Sequence, residues 1–234
     1  MNTFRERLAL IEERMDAACK RANRARSEVR LMAVSKTHPA SAILEAIEAG
    51  VTLFGENRVQ EFERKQAELP SLQAEIHLIG HLQSNKSNKA VELFSAVDTV
   101  DSLRLAERLN EAAARLKRVL PILIEIKLSA EETKTGLAPE STELKQLLEH
   151  APDFSNLHID GLMTVPPLDD NPETARTCFR NLYQLREQIA QAHPRLALRE
   201  LSMGMSGDFE IGIEEGSTLV RIGTALFGAR EYPQ

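Results

Sequence analysis

Three sets of residues in this chain have the types and spacing to do chemistry. The first is Lys36, within residues 30–38 (RLMAVSKTH). Four apolar residues give way abruptly to Ser35, Lys36 and Thr37, which reads as a buried strand reaching its polar end. Side chains alternate along a strand, so Met32, Val34 and Lys36 share one face. An amine held along an apolar face loses hydration, its pKa falls, and the neutral form can attack an aldehyde to give a Schiff base. A lysine that merely closes a strand and extends to water fits the same stretch.

The second set lies in residues 201–228, LSMGMSGDFEIGIEEGSTLVRIGTALFG. Ser202, Gly204, Ser206 and Gly207 follow one strand and offer hydroxyls and unobstructed N–H groups. Gly223 and Thr224 follow the next strand and open a short helix, residues 225–229. A helix N-terminus preceded by glycine suits an anion, although tight turns alone also use glycine. The third is Arg221, on the face shared by Leu219 and Gly223, which directs its guanidinium inward beside that cup. A buried cation needs an acceptor. A heteroaromatic ring nitrogen serves, as does a neighbouring carboxylate in a structural ion pair.

The elements that must position these groups follow from periodicity. Residues 4–24 carry Leu8, Ile11, Met15, Ala18 and Ala22 at helical spacing, an amphipathic helix ahead of the first strand. Strands are predicted through Leu53 and Phe54 and at residues 75–80, 96–100, 121–127, 158–164, 200–203 and 218–222. Helices are predicted between them at residues 40–49, 58–68, 84–93, 102–117, 141–150 and 172–192, with a short one after the loop GMSGDFE, residues 204–210. Pro39 and Pro172 suit first helical turns, and Pro194 lies beyond an end. Strand, polar turn and helix recur about eight times, which implies a parallel sheet. Eight units in a chain of 234 residues predict an α/β fold, a single (β/α)8 TIM barrel spanning residues 1–234 with an extra N-terminal helix. An open doubly wound sheet is the alternative. In such a barrel working residues gather where strands end, and Lys36, Asn57, His77, Lys127, Met163, Thr164, Ser202 and Arg221 sit at predicted strand ends.

Composition narrows the class. The net charge of −6 argues against nucleic-acid binding, which needs a basic face. Cys19 and Cys178 alone make neither a disulfide framework nor a zinc site, and free thiols suit a reducing cytoplasm. The charged N-terminus is no signal peptide, and no apolar run approaches membrane-spanning length. A cytoplasmic protein that touches no membrane is expected.

Lys36, the cup and Arg221 together offer an amine for an aldehyde, an anion site for a phosphate and a cation beside a ring nitrogen. That is the complement of pyridoxal 5'-phosphate (PLP), whose pyridine nitrogen takes Asp or Arg as partner. The motifs AVSKT, FGENRVQE, HLIGHLQSNK, TVDS, GLMTVPP, LSMGMSGDF and GSTLVRIGTALFG cover nearly the whole chain. Through them it resembles the pyridoxal phosphate homeostasis protein family, whose fold is similar to the barrel domain of alanine racemase. The resemblance implies that Lys36 holds PLP as an internal aldimine. It also implies that Ser202, Ser206, Gly223 and Thr224 grip the phosphate, with Arg221 at the pyridine nitrogen and Asn57 lining the ring. His77, Met163 and Lys134 are further candidates from the same rim. Lys127 stands where the family usually has asparagine, a second amine on that rim.

Two functions are compatible with such a site: a PLP-dependent racemase or lyase, or a carrier that buffers PLP and delivers it to apo-enzymes. A two-base racemase takes its second base from a tyrosine of a separate C-terminal domain. Here five residues follow Ala229, Tyr183 lies mid-helix and Tyr232 in the tail, so no such domain or base is expected. The carrier without turnover is favoured, as a monomer. A class I aldolase would use Lys36 and the cup but leave Arg221 unexplained.

Overall fold

The computed structural model describes residues 3–69, 72–129 and 135–228. Its centre is a closed barrel of eight parallel strands in chain order: β1 (Arg30–Val34), β2 (Leu53–Glu56), β3 (Glu75–Leu78), β4 (Ala96–Val100), β5 (Leu120–Glu125), β6 (Leu157–Met163), β7 (Glu200–Met205) and β8 (Leu219–Ile222). β1 pairs with β8 from Arg30 opposite Leu219 to Ala33 opposite Ile222, so the sheet closes and the open doubly wound alternative is overturned. The expected (β/α)8 architecture with an added N-terminal helix is the one observed.

The outer ring comprises α2 (Ala40–Glu48), α3 (Val59–Gln66), α4 (Ser87–Leu93), α5 (Leu103–Arg115), α6 (Thr142–His150), α7 (Pro172–Ala192), α8 (Phe209–Glu214) and α9 (Thr224–Phe227). The helix that precedes β1, α1 (Phe4–Arg21), starts with a capping box, in which Thr3 Oγ1 accepts from Glu6 N and Glu6 Oε2 accepts from Thr3 N. It buries Phe4, Ile11, Met15 and Ala18, and its polar face reaches the last units of the barrel. Arg14 pairs with Glu210 at 2.9 Å and Arg21 with Glu214 at 2.7 Å, while Arg7 donates to the Leu226 carbonyl.

Most apolar burial lies between strands and helices, around Phe54, Phe62, Phe94, Phe179 and Phe209. Inside the barrel, Met32, Leu53 and Leu219 form a small separate cluster with Ile79. Branched apolar side chains usually fill such an interior. Here Asp98, Glu125, Ser202 and Arg221 are buried as well.

Several boundaries depart from the sequence reading, three of them at residues proposed for the site. β1 stops at Val34, two residues short of Lys36: Ser35 N still donates to Gly55 O, but His38 N then turns back to Ser35 O and Thr37 takes φ 66°. Lys36 therefore stands on a turn above the strand rather than on it. β5 ends at Glu125, so Lys127 lies in the loop beyond. The short last helix begins at Thr224, one residue earlier than expected, and ends at Phe227.

Candidate functional site

The C-terminal rim brings Lys36 and the glycine cup together. A Cβ added to Gly223 would lie 3.5 Å from both Cβ and the carbonyl oxygen of Val34, so the turn after β8 packs on the last residue of β1. Lys36 follows two residues on and is half-buried. Ser206, on the loop after β7, reaches the first turn of α9, where its Oγ accepts from Ala225 N at 3.4 Å. That loop is pinned by Asp208, whose Oδ1 accepts from Met205 N at 2.6 Å. Gly204 supplies φ +94° where a Cβ would meet Phe209 Cα at 2.9 Å, so the loop closes onto α8 only with glycine there. Thr224 is exposed at the mouth of the cup.

The loop that carries Lys36 is fixed from behind by charges that sequence reasoning passed over. Glu56 is wholly buried on the outer face of β2, and its Oε1 accepts from Ser35 Oγ and from Lys65 Nζ, each at 2.7 Å. Lys65, on α3, also pairs with Glu61 at 2.9 Å and donates to the Ser35 carbonyl at 3.0 Å. Glu61 in turn accepts from Thr37 N at 2.6 Å. Burial pushes the Glu56 carboxyl up against the pull of Lys65 and Ser35. Burial acts on Glu61 too, but Lys65 and the Thr37 N–H outweigh it and hold that carboxyl below its ordinary range. Ser35 and Thr37 are thus held on either side of Lys36.

Arg221 lies opposite Met32 of β1, one step below the cup. It is buried, and its acceptors are neutral: Nη1 donates to the Ser202 carbonyl and Oγ, both at 2.7 Å, and Nη2 to the Thr164 carbonyl at 2.8 Å. Among the described residues no carboxylate touches it, and the three bonds leave part of its five-donor fork unused. Ser202 is accordingly a partner of Arg221, deeper than the cup. Met163 ends β6 beside Ser202 and Glu125.

Asn57 follows β2, and its Oδ1 is buried without a hydrogen-bond partner among the described residues. Its backbone is fixed by a close approach, since a Cβ on Gly80 would sit 2.2 Å from Asn57 O. Glu125 was missed by the sequence reading, which placed the end of β5 at Lys127. Its Oε1 accepts from Thr135 Oγ1 at 2.8 Å, its Oε2 has no partner among the described residues, and burial pushes the carboxyl up. The alternation through Leu123 was the available signal. Lys134 and Tyr232 lie outside the described residues.

His77 is not brought to this rim. It lines a small cavity at the N-terminal mouth with Arg30, Asp98, Asp160 and Glu200. Its Nδ1 lies 3.0 Å from Asp98 Oδ1 and its Nε2 lies 3.8 Å from Glu75 Oε2. Burial opposes its charge, but Asp98 and Glu75 prevail and raise its pKa to about 9. A pKa raised from 6.5 stabilises the fold fully below pH 6.5 and ceases to do so as pH rises through about 9. The loss corresponds to about 3 kcal/mol. Melting temperatures of the cofactor-free protein are expected to fall across that window, and His77→Gln is expected to flatten the fall.

Three comparisons with known proteins agree. The family model described as alanine racemase, N-terminal domain, matches residues 8–231. The pyridoxal phosphate homeostasis protein of Aquifex aeolicus is 43% identical over 227 residues, covering 97% of this chain and 98% of that protein. Its namesake from Haemophilus influenzae is 44% identical, covering 96% and 95%. The structure of PipY from Synechococcus elongatus with PLP bound superposes with a TM-score of 0.86 at 41% identity, covering 97% of this chain and all of that one. Alanine racemase of Clostridium difficile shares the fold, with a TM-score of 0.73 at 15% identity over 57% of its length. By sequence along its length and by the barrel it forms, the chain belongs to the pyridoxal phosphate homeostasis protein family, within the alanine racemase N-terminal-domain fold.

Proposed function

We propose that this protein holds PLP covalently through Lys36 and serves intracellular vitamin B6 homeostasis by buffering the cofactor and delivering it to apo-enzymes, without catalytic turnover. The observation that supports the reading is the packing of Gly223 on Val34, two residues before Lys36, which brings the Lys36 loop and the glycine turn to one rim. The residues present fit the group. Among the described residues Asn57 Oδ1 and Glu125 Oε2 are buried acceptors without partners at this end of the barrel, and Arg221 keeps donors to spare beneath the cup. When bound, PLP supplies an aldehyde that a primary amine captures reversibly, together with an electron-withdrawing ring.

In this reading Lys36 binds the aldehyde, held by the Ser35–Glu56–Lys65 and Thr37–Glu61 contacts. Ser206 and the N–H groups from Gly223 to Ala225 take the phosphate, with Thr224 at the edge. Arg221, oriented by Ser202 and Thr164, faces the ring nitrogen, and Asn57 and Met163 line the ring. An arginine there weakens the ring as an electron sink, and the exposed Thr224 leaves the cup open to water. Both suit uptake and release better than protected carbanion chemistry. Among the described residues no helix is long and apolar enough to cross a membrane. The protein is proposed to act in the cytoplasm as a monomer.

Incubation with PLP is expected to turn the purified protein yellow, and borohydride is expected to fix one pyridoxyl group, located on Lys36 by peptide mass mapping. Label elsewhere, or none, would overturn the covalent reading. The loaded protein is expected to restore an apo PLP enzyme while leaving the α-protons of an amino-acid panel unexchanged in deuterated water. Rapid exchange would establish the racemase or lyase alternative instead.

A further inference from the structure

Lys36 is bracketed by two contacts with the turn and helix that follow β8. Before it, Val34 packs on Gly223, where an added Cβ would lie 3.5 Å from the Val34 Cβ and carbonyl oxygen. After it, the His38 imidazole stacks on the Phe227 ring, with centroids 5.0 Å apart and planes inclined by 29°. Val34 and His38 lie two residues to either side of Lys36, and the proposed cofactor contacts leave the stack unused. His38 also closes the Lys36 turn, since its N–H donates to the Ser35 carbonyl at 3.1 Å.

Phe227 is a fixed anchor for that stack. It ends α9, and its N–H and that of Leu226 both donate to the Gly223 carbonyl at 2.9 Å, which ties the ring to the turn that forms the cup. The Phe227 ring also meets the buried Phe4 of α1, with centroids 5.3 Å apart and planes inclined by 50°. Aromatic pairs prefer particular geometries as well as burial, so the stack resists sliding. It therefore holds the turn that presents the amine at a set separation from the turn that presents the N–H groups.

That separation matters to a ligand gripped at both ends. One end is an aldehyde that condenses with an amine and releases water; the other is a phosphate. The second grip adds to the first only where both receivers already stand at the span of the ligand. We propose that His38 is a positioning residue: by stacking on Phe227 it holds the Lys36 turn against α9, so that one PLP molecule reaches the amine and the cup together. The inference rests on the reading of Lys36 and the Gly223 turn as the two ends of the cofactor site.

The test compares PLP with pyridoxal, which has the same ring and aldehyde but no phosphate. Dissociation constants are read from the visible band of the amine-bound ring, and borohydride labelling with peptide mapping checks that Lys36 is the amine. The internal hemiacetal of pyridoxal is common to all samples and cancels between variants. The ratio of the two constants measures what the phosphate contributes. His38→Ala is expected to cut that ratio about fivefold, as loss of one aromatic pair implies, by weakening PLP while leaving pyridoxal within about twofold. His38→Phe, which stacks but cannot hydrogen-bond, is expected to restore the ratio; His38→Gln, which hydrogen-bonds but cannot stack, is not. Restoration by glutamine alone overturns the proposal, because His38 then touches the phosphate itself. Equal weakening of both aldehydes overturns it too, since His38 then acts on the amine or on the fold at large, and so does an unchanged ratio. Phe227→Leu is expected to show the same deficit, with no further loss when His38→Ala is added. Should His38→Ala not fold, Phe227→Leu decides, and a parental ratio there overturns the proposal. If the parent protein shows no preference for PLP over pyridoxal, or carries its label away from Lys36, the cofactor reading fails as well. A parent with both properties keeps that reading whatever His38 does.

Discussion

Lys36→Ala is expected to abolish borohydride-fixed pyridoxyl label completely while leaving the melting temperature of the cofactor-free protein within a few degrees of the parent. The label is lost because Lys36 supplies the amine of the loop that follows Val34, the residue on which the Gly223 turn packs. The fold survives because the clamp on that loop runs through its neighbours. Ser35 Oγ and the Ser35 carbonyl are bonded to Glu56 and Lys65, and Thr37 N to Glu61, none of which needs the Lys36 side chain. Noncovalent PLP is expected to remain, weakly held at the cup and removable by dialysis. A variant that unfolds, or one that keeps full label, would show that Lys36 is structural or that another lysine captures the aldehyde.

Lys65→Met should be far more damaging to stability, although it lies behind the site. It leaves Glu56 wholly buried with its counter-ion gone. Breaking one half of a buried pair costs about 3–5 kcal/mol. For a chain of this size that corresponds to roughly 6–20 °C in melting temperature. Two controls separate charge from packing. The deficit is expected to shrink on acidification, because the Glu56 carboxyl, already pushed up by burial, takes a proton and becomes neutral. Glu56→Gln added to Lys65→Met is expected to recover part of the loss at neutral pH. A melting temperature unchanged by Lys65→Met would mean that the pair is solvated and does not brace the Lys36 loop.

The architecture was legible in the sequence because its signal is local and repeated. The limits of β4 and α7, 96–100 and 172–192, match the structure to the residue, since both are bounded by sharp changes of residue type and α7 begins with proline. The rim was legible for a related reason: Lys36, Ser206, Gly223 and Thr224 each follow a strand directly. What escaped was pairing across the barrel. Period-2 alternation shows that Glu56 faces away from Asn57, but not that Lys65, nine residues later on α3, reaches back to it. A histidine in a strand looks alike at either end, so His77 was grouped with the rim, and only the short reach of β3 and the partner Asp98 place it at the other mouth. Ser202 was assigned to the phosphate because its strand end was visible, while its bond to Arg221 was not. Glu125 was hidden by an apolar run that continues past the last paired residue.

The seam between β1 and β8 has a bearing on how the protein acquires its ligand. Strands from early and late in the chain meet there, and α1 staples the join by reaching α8 and α9. Amine and cup consequently do not coexist on a partly synthesised or partly folded polypeptide. In the proposed binding mode PLP is taken up by a molecule whose ring has shut and, held across the β1–β8 joint, draws the equilibrium toward the finished barrel by mass action.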